Sequence, residues 1–571
     1  MDLEALAREP SPESWRLLCQ GLDKLSVPEA QAAIVKLEPL LATWQDELRA
    51  TMCGMTWDDE FFAGQPNPRS SIVRHLRFDR IFSGRYDHSM RMRTQLIVPA
   101  IASLAAAEGT QQLTMINLSY QLDDAGVAAL ARAQNFHALK ELAIASCGIR
   151  NRSTLEALAS APFYGQLDKL TISSSEITGT QVSALFPAAR PKELRLGGNP
   201  LGFEGATANM NAIGTTPIAL ELSDCDLSNA SMLMLAMANI ELTSLDIGNN
   251  IIDDPGFETL FGRALRAKSL TASQNAIGAR GVQALVDADW PLESLDLSDN
   301  ALDDDAAIAL AGRGPASLTD LNLADNDITA IGLARLIGSD RLANLTSLGV
   351  GTNRISSIGE LTSMVGKLES LNLAHNRLGD GIRSLAAIES ESLTSLDLAS
   401  NVITIRAFEE LTGAAWFSRL TYLNLSGNAL GPAAGVVFGP WTALKRLVLA
   451  RTELGDEGVQ ALCGAGLALE YLQLDHCGLG DAALEAIAAS SYIHTIEELS
   501  ISDNAITARG VAALLAAKPK RLVQLRIGDN RIDDDAAEQL ARWDQLLHVA
   551  VDEAGPKSKA ALAKRPVRCC P

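Results

Sequence analysis

Apolar residues along this chain fall in a fixed order: leucine, two positions, leucine, one polar position, leucine, two more, then asparagine or a small substitute. Leu292, Leu295, Leu297, Asn300 and Leu302 show the order, as do Leu242, Leu245, Ile247, Asn250 and Ile252. The asparagine position recurs at Cys147, Ser175, Asn199, Cys225, Asn250, Asn275, Asn300, Asn326, Asn353, Asn376, Asn401, Asn428, Thr452, Cys477, Asn504 and Asn530, a mean step of about 25.5 residues. A weaker copy with Leu113, Ile116 and Leu118 precedes them. A fixed period of this length marks stacked supersecondary units that bury their apolar faces only against their neighbours.

The pattern assigns a role to each position. Side chains alternate along an extended strand, so Leu295 and Leu297 point into a core while Asp296 points out. Stacking the copies predicts one short parallel strand per repeat. The anchor asparagine turns inward at the corner to bond loop backbone, and Cys147, Cys225 and Cys477 stand in as small buried groups with a weak donor. The second half of each repeat changes period: Gly281, Val282 and Leu285, then Gly332, Leu333 and Leu336, Gly458, Val459 and Leu462, and Gly510, Val511 and Leu514 form one helical stripe. The small residue is expected to let the helix sit close to the sheet. Each repeat therefore reads as strand, turn and helix.

This wording resembles the ribonuclease-inhibitor class of leucine-rich repeats and, equally, the bacterial GALA type with its Gly-x-x-Ala-Leu helices. The resemblance covers about residues 113–532 and implies a curved α/β solenoid, strands concave and helices convex, used mainly to grip other macromolecules. Steps of 23 to 28 residues, and loss of the helical stripe after Leu378 and Leu430, depart from regular geometry.

Domain organisation follows. Residues 1–70 do not repeat and predict a small helical domain. Ser11, Pro12 and Glu13 open one helix carrying Trp15, Leu17, Leu18 and Leu22, and Pro28 opens a second with Ile34, Leu37, Leu41, Trp44 and Leu48. This segment is similar to the repeat-companion domain found ahead of leucine-rich repeats in some bacterial proteins. A degenerate opening cap spans 71–112, with a strand at Val73, Leu76 and Phe78; the repeats run over 113–545. An exit cap and basic tail occupy 546–571, where Leu546, Val549 and Val551 form a last strand before Asp552 and Glu553.

Net charge is −21 with an isoelectric point near 4.8, which argues against nucleic acid, since phosphate would be repelled, and suits a protein partner with a basic surface. Much of the acid has a local explanation. Asp123-Asp124, Asp253-Asp254, Asp303 to Asp305, Asp456-Glu457 and Asp533 to Asp535 stand where helices should begin, where acids cap N–H groups and oppose the dipole. The eight cysteines show no even framework, which suits a reducing compartment. With no secretory signal pattern and no long apolar run to span a bilayer, the expected location is cytoplasmic.

Catalytic patterns are absent: no His-Glu-x-x-His, Cys-x-x-Cys, Gly-x-Ser-x-Gly or phosphate-binding Gly-rich loop occurs, and His75, His88, His137, His375, His476, His494 and His548 are dispersed. The expectation is therefore a non-enzymatic interaction scaffold without metal or cofactor. The alternatives are an effector that blocks a specific enzyme and, further off, a small-GTPase regulator, for which no arginine loop can be mapped. The strand face offers one lead. Third positions read Ser244, Ser269, Ser294, Asp320, Ser347, Ser370 and Ser395, and fifth positions Asp246, Thr271, Asp296, Asn322, Gly349, Asn372, Asp397 and Asn424, a small polar wall. Tyr422, Arg446 and Tyr471 then take the third position in consecutive repeats, flanked by Lys445, Val448 and Arg451, with Asp475 and His476 ending the next strand. Strands about 4.8 Å apart would place Tyr422, Arg446 and Tyr471 in one row, and Tyr and Arg dominate binding hot spots. The candidate binding residues are thus Tyr422, Lys445, Arg446, Arg451, Tyr471, Asp475 and His476.

Overall fold

In a computed structural model, the described residues are 3–23, 25, 27–45, 49, 75–77, 110–118, 122–185, 191–203, 218–237, 241–261, 265–358, 367–439, 441–543, 546 and 548–550. The loop before Arg69, the opening-cap positions Val73 and Phe78, the acidic pair after Val551, the basic tail, and Cys53, Cys569 and Cys570 lie outside them. Two compact units divide the chain, Met1–Asn275 and Ala276–Arg568.

In the first unit, helices α2 (Pro12–Asp23) and α3 (Val27–Leu41) form where Pro12 and Pro28 were read as helix starts, α1 (Leu3–Ala7) precedes them unread, and α3 ends at Leu41, before Trp44; Leu48 lies outside the described residues. The Trp44 indole donates to the Ala7 carbonyl at 2.9 Å, and Trp15 packs 6.2 Å from it. Arg49, buried, reaches Glu38 at 3.2 Å. The strands follow: β1 (His75–Arg77), β2 (Met115–Asn117), β3 (Glu141–Ala143), β4 (Lys169–Thr171), β5 (Glu193–Arg195), β6 (Ile218–Glu221), β7 (Leu242–Asp246) and β8 (Ser269–Thr271). Each pairs in parallel with the next.

The second unit repeats the arrangement through β9 (Ser294–Asp296), β10 (Asp320–Asn322), β11 (Ser347–Gly349), β12 (Ser370–Asn372), β13 (Ser395–Asp397), β14 (Tyr422–Asn424), β15 (Arg446–Val448), β16 (Tyr471–Gln473), β17 (Glu498–Ser500), β18 (Gln524–Arg526) and β19 (His548–Ala550). All are parallel, and the central leucines align: Leu295, Leu321, Leu348, Leu371, Leu396, Leu423, Leu447, Leu472, Leu499 and Leu525 pair in turn, every one buried. The helical stripe holds where it was read, as in Ala279–Ala288, Ala330–Ile337, Gly455–Cys463 and Ala508–Ala517. After Leu378 a 3-10 turn and a four-residue helix, Arg383–Ala386, replace it, and after Leu430 only Ala434–Val437 remains helical. Aromatic rings occupy that second gap, with Trp441 4.8 Å from Phe417 and 5.4 Å from Phe438.

The anchor asparagines form a ladder of hydrogen bonds between successive repeats. The amide of Asn428 donates to the carbonyls of Leu398, Leu425 and Ser426, and its oxygen accepts from the N–H groups of Asn401 and Ile403. Asn250 repeats this geometry with Leu222, Ile247 and Gly248 as acceptors and Cys225 and Leu227 as donors. The cysteine substitutes keep the donor role, the Cys477 thiol reaching the Leu449 carbonyl at 3.0 Å. Burial pushes the Cys225 thiol up to about 12, so it is a neutral packing group.

The helix-start acids act in two ways. Asp123, Asp303 and Asp533 cap their own helices, as expected. Their neighbours reach across to the following repeat. Asp304 accepts from the Thr329 N–H and hydroxyl and from the Gly332 N–H; Asp481 does the same for Thr507 and Gly510. Asp124 holds Arg150, Asn151 and Thr154, and Asp456 holds Gly480 and Ala483. This accounts for the helical glycines better than closeness to the sheet does. A Cβ on Gly332 would lie 2.6 Å from the Asp304 carboxylate, 2.8 Å from Ile328 Cγ2 of its own repeat and 2.9 Å from the Ala307 Cβ, so two of the three tight approaches are to the preceding helix.

Burial alone would raise the Asp481 pKa, but the donors of Thr507 and Gly510 and the Arg509 charge outweigh it and hold the carboxyl below the ordinary range. A carboxyl whose pKa is depressed on folding contributes stability above its unfolded value near ~3.9 and loses it as pH falls through the folded value. Asp481→Ala is expected to cost about 1–2 kcal/mol at pH 7, read as a lower urea midpoint, with the difference from the parent shrinking below pH 4.

Candidate functional site

Residues at the fifth strand position face away from the core and do local work. Asp246 accepts from the Gly248 N–H at 2.9 Å, Asp296 from the Ser298 N–H at 2.9 Å, Asn372 from Ala374 and Asp397 from Ala399. Each side chain satisfies the outward N–H two residues on, at the strand exit, where no neighbouring strand offers an acceptor. The Asp and Asn fifth positions of the polar wall are therefore turn braces.

At β14 to β16 the wall changes. Tyr422, Arg446 and Tyr471 pair in direct register, one per strand, and continue into Glu498 and Gln524. The Arg446 guanidinium lies over the Tyr471 ring, 4.3 Å from its centroid, on one side of the arginine; a symmetrical sandwich with Tyr422 does not form. Tyr422 turns toward β13 instead, its hydroxyl 3.5 Å from the Asp397 carboxylate. Burial pushes both tyrosine hydroxyls up, with Asp397 adding to the effect at Tyr422. At Tyr471 the Arg526 and Arg446 charges act the opposite way.

A chain of bonds fixes the Tyr471 ring. Its hydroxyl donates to the Gln473 amide oxygen at 2.9 Å, and the Gln473 amide donates to Asp475 at 2.6 Å. Asp475 also accepts from the Ser500 hydroxyl and the Ser502 N–H, both at 2.7 Å. Asp475 is thus a positioning residue with its acceptors occupied. Lys445 leans across the strand starts toward Glu470, 3.7 Å away. Arg451 and His476 take the corner before the ladder residue, both in left-handed backbone with φ of 56° and 53°, and both are exposed. His476 bonds Asp503 at 2.5 Å.

The structure brings Tyr422, Arg446 and Tyr471 together and sets Lys445, Arg451 and His476 at the margins. Val448, between Asn424 and Gln473 in register, is 8% exposed and makes an apolar floor. Arg526 adds a charge from β18; the repeat pattern does not single it out, since Arg195 takes the same fifth position on β5. Among the described residues no group of three His, Cys, Asp or Glu is placed to hold a metal, and no helix is long and apolar enough to cross a membrane.

A family profile described as Leucine Rich repeat matches residues 291–311, 315–336, 367–385, 389–404, 419–439, 442–463, 469–488 and 492–515. The matched segments, all between 291 and 515, carry strands β9, β10 and β12 to β17 with the ladder residues Asn300, Asn326, Asn376, Asn401, Asn428, Thr452, Cys477 and Asn504. The chain carries leucine-rich repeats. This chain is 27% identical to the ribonuclease inhibitor of Sus scrofa over 379 residues, covering 62% of this chain and 74% of the inhibitor. It is 26% identical to a Tonsoku-like protein of Danio rerio over 365 residues, 58% of this chain but 24% of that protein, so it spans about a quarter of that relative. Among solved structures, a leucine-rich-repeat protein of Leptospira interrogans aligns at a TM-score of 0.35 and 18% identity, over 78% of this chain and 96% of that one. The complex of Rad7 and Elc1 in yeast aligns at 0.38 and 16%, over 58% and 82%.

Proposed function

We propose that this chain is a non-enzymatic, cytoplasmic interaction scaffold that grips a protein partner through the exposed face of its strands, centred on β14 to β16. One observation carries the reading: Tyr422, Arg446 and Tyr471 stand side by side over an apolar floor, on a face whose Asp and Asn fifth positions brace their own turns. Aromatic and arginine anchors of this kind contribute about 2 kcal/mol or more each, roughly thirtyfold in affinity.

The Tyr422→Ala, Arg446→Ala, Tyr471→Ala triple variant is expected to lose partner capture from native lysate by more than about a hundredfold. Its unfolding midpoint should stay nearly unchanged, because none of the three side chains points into the core. Normal capture by this variant, together with weakened capture by Asp246→Ala or Asp296→Ala, would move the site to the acidic wall. A second reading, an effector that covers the active site of an enzyme, draws on the similarity to ribonuclease inhibitor. It requires the captured partner to lose activity when bound, whereas a scaffold leaves it active.

A further inference from the structure

We propose that the strand face of β15 to β18 recognises an acidic segment of the partner protein, one carboxylate seating at the open edge of the Arg446 guanidinium, with the Arg526 charge adding attraction from β18. The inference rests on the reading of this face as the binding surface and adds the chemistry of what it binds.

Arginine is a minority residue in a chain with 69 acidic and 48 basic side chains, and elsewhere it finds carboxylates readily: Arg313 pairs with Asp287, Arg354 with Asp327, Arg509 with Glu485 and Arg521 with Glu497. Arg446, Arg451 and Arg526 do not, and what sets Arg446 apart from other arginines unpaired among the described residues, such as Arg335 and Arg377, is its stack on an aromatic ring. Among the described residues none of the three makes an ion pair or a side-chain hydrogen bond, and all three are exposed. Arg446 is held by its stack on Tyr471, which leaves the edge of the guanidinium, and its N–H donors, open. Arg526 stands on β18, two strands on, and its charge acts at Tyr471 together with that of Arg446. A planar fork fixed in place and unpaired is the group that takes a carboxylate in two parallel hydrogen bonds.

The carboxylates of this stretch do not fill that role. Asp475 is occupied by Gln473, Ser500 and Ser502, and Asp503 by His476. Glu498 on β17, beside Tyr471 in register, stands between the ring and β18 and repels a carboxylate there. The incoming group is thereby directed toward Arg446, with Val448 as the floor for an apolar neighbour. Overall charge points to a basic partner, whereas the local groups point to an acidic one, and at contact distance local pairing decides because the Debye length is only about 8–10 Å in physiological salt.

The test is titration of the full chain into a fluorescein-labelled oligoglutamate peptide, read by fluorescence anisotropy, with an oligolysine peptide in parallel. Expected are binding of oligoglutamate that weakens with added salt, and at least a tenfold loss in the Arg446→Gln, Arg526→Gln double variant at an unchanged unfolding midpoint. Equal binding to the parent and the double variant, no binding to the parent, or tighter binding of oligolysine than of oligoglutamate at this face would overturn it. Partner capture lost in the triple alanine variant but kept by the double glutamine variant would likewise overturn it while leaving the binding face in place. Capture kept by the triple variant would count against the face itself.

Discussion

Replacing Asn428 by leucine is expected to lower stability by about 3–5 kcal/mol, the largest effect of any single ladder substitution considered. Asn428 is fully buried, and its amide joins two repeats through five hydrogen bonds. Leucine has a similar volume, so the loss is one of partners rather than of packing. The Asn401 and Ile403 N–H groups would be left in the core without an acceptor, at about 1–3 kcal/mol each, and three carbonyls would lose a donor. Asn428→Cys should cost distinctly less, because Cys147, Cys225 and Cys477 already serve at this position through a weak thiol donor. Urea unfolding followed by circular dichroism measures both. Equal stability of the leucine variant and the parent would mean that the ladder is decorative.

Gly435→Ala is expected to cost about 3 kcal/mol. A Cβ there would fall 2.0 Å from the Gly458 carbonyl oxygen and 2.7 Å from its carbon, which are backbone atoms of the following repeat and cannot rotate away. The added methyl must push the two repeats apart, and overpacking of this kind typically costs ~1–3 kcal/mol or more. Gly312→Ala is the counterpart: nothing lies within 4 Å of its Cβ in the helix Asp304–Arg313, so the same substitution should stabilise by up to about 1 kcal/mol. Opposite signs for one chemical change at two helical glycines would separate close approach from backbone entropy.

The repeat period alone placed the strands, their central leucines and the ladder, because each of these depends on spacing that the chain states many times over. The third-position row was legible for the same reason: equal positions in successive repeats must lie side by side. Other features depended on which neighbour a side chain chooses. Asp303 and Asp304 are indistinguishable as sequence, yet one caps its own helix and the other the next helix. Asp246 and Asp296 read as a charged wall, and their commitment to backbone N–H groups appears only in the folded turn. Arg451 and His476 read as surface anchors, but their position is the left-handed corner, which Gly198, Asn249, Asp299 and Asp529 fill elsewhere. That regularity was present in the sequence and points to backbone shape before recognition. Arg526 lay two repeats beyond the row and was found through the action of its charge at Tyr471.

The carboxylate clamps give the chain a direction. Asp124, Asp304, Asp456 and Asp481 each hold the start of the helix that comes later in sequence. A polypeptide leaves the ribosome amino end first, so each of these four helices, on emerging, meets a receptor that its predecessor has already built. Growth toward the carboxyl end is templated one turn at a time. Removing repeats from the carboxyl end leaves the remaining helix starts clamped, whereas removing them from the amino end strips the clamp from the first helix left behind.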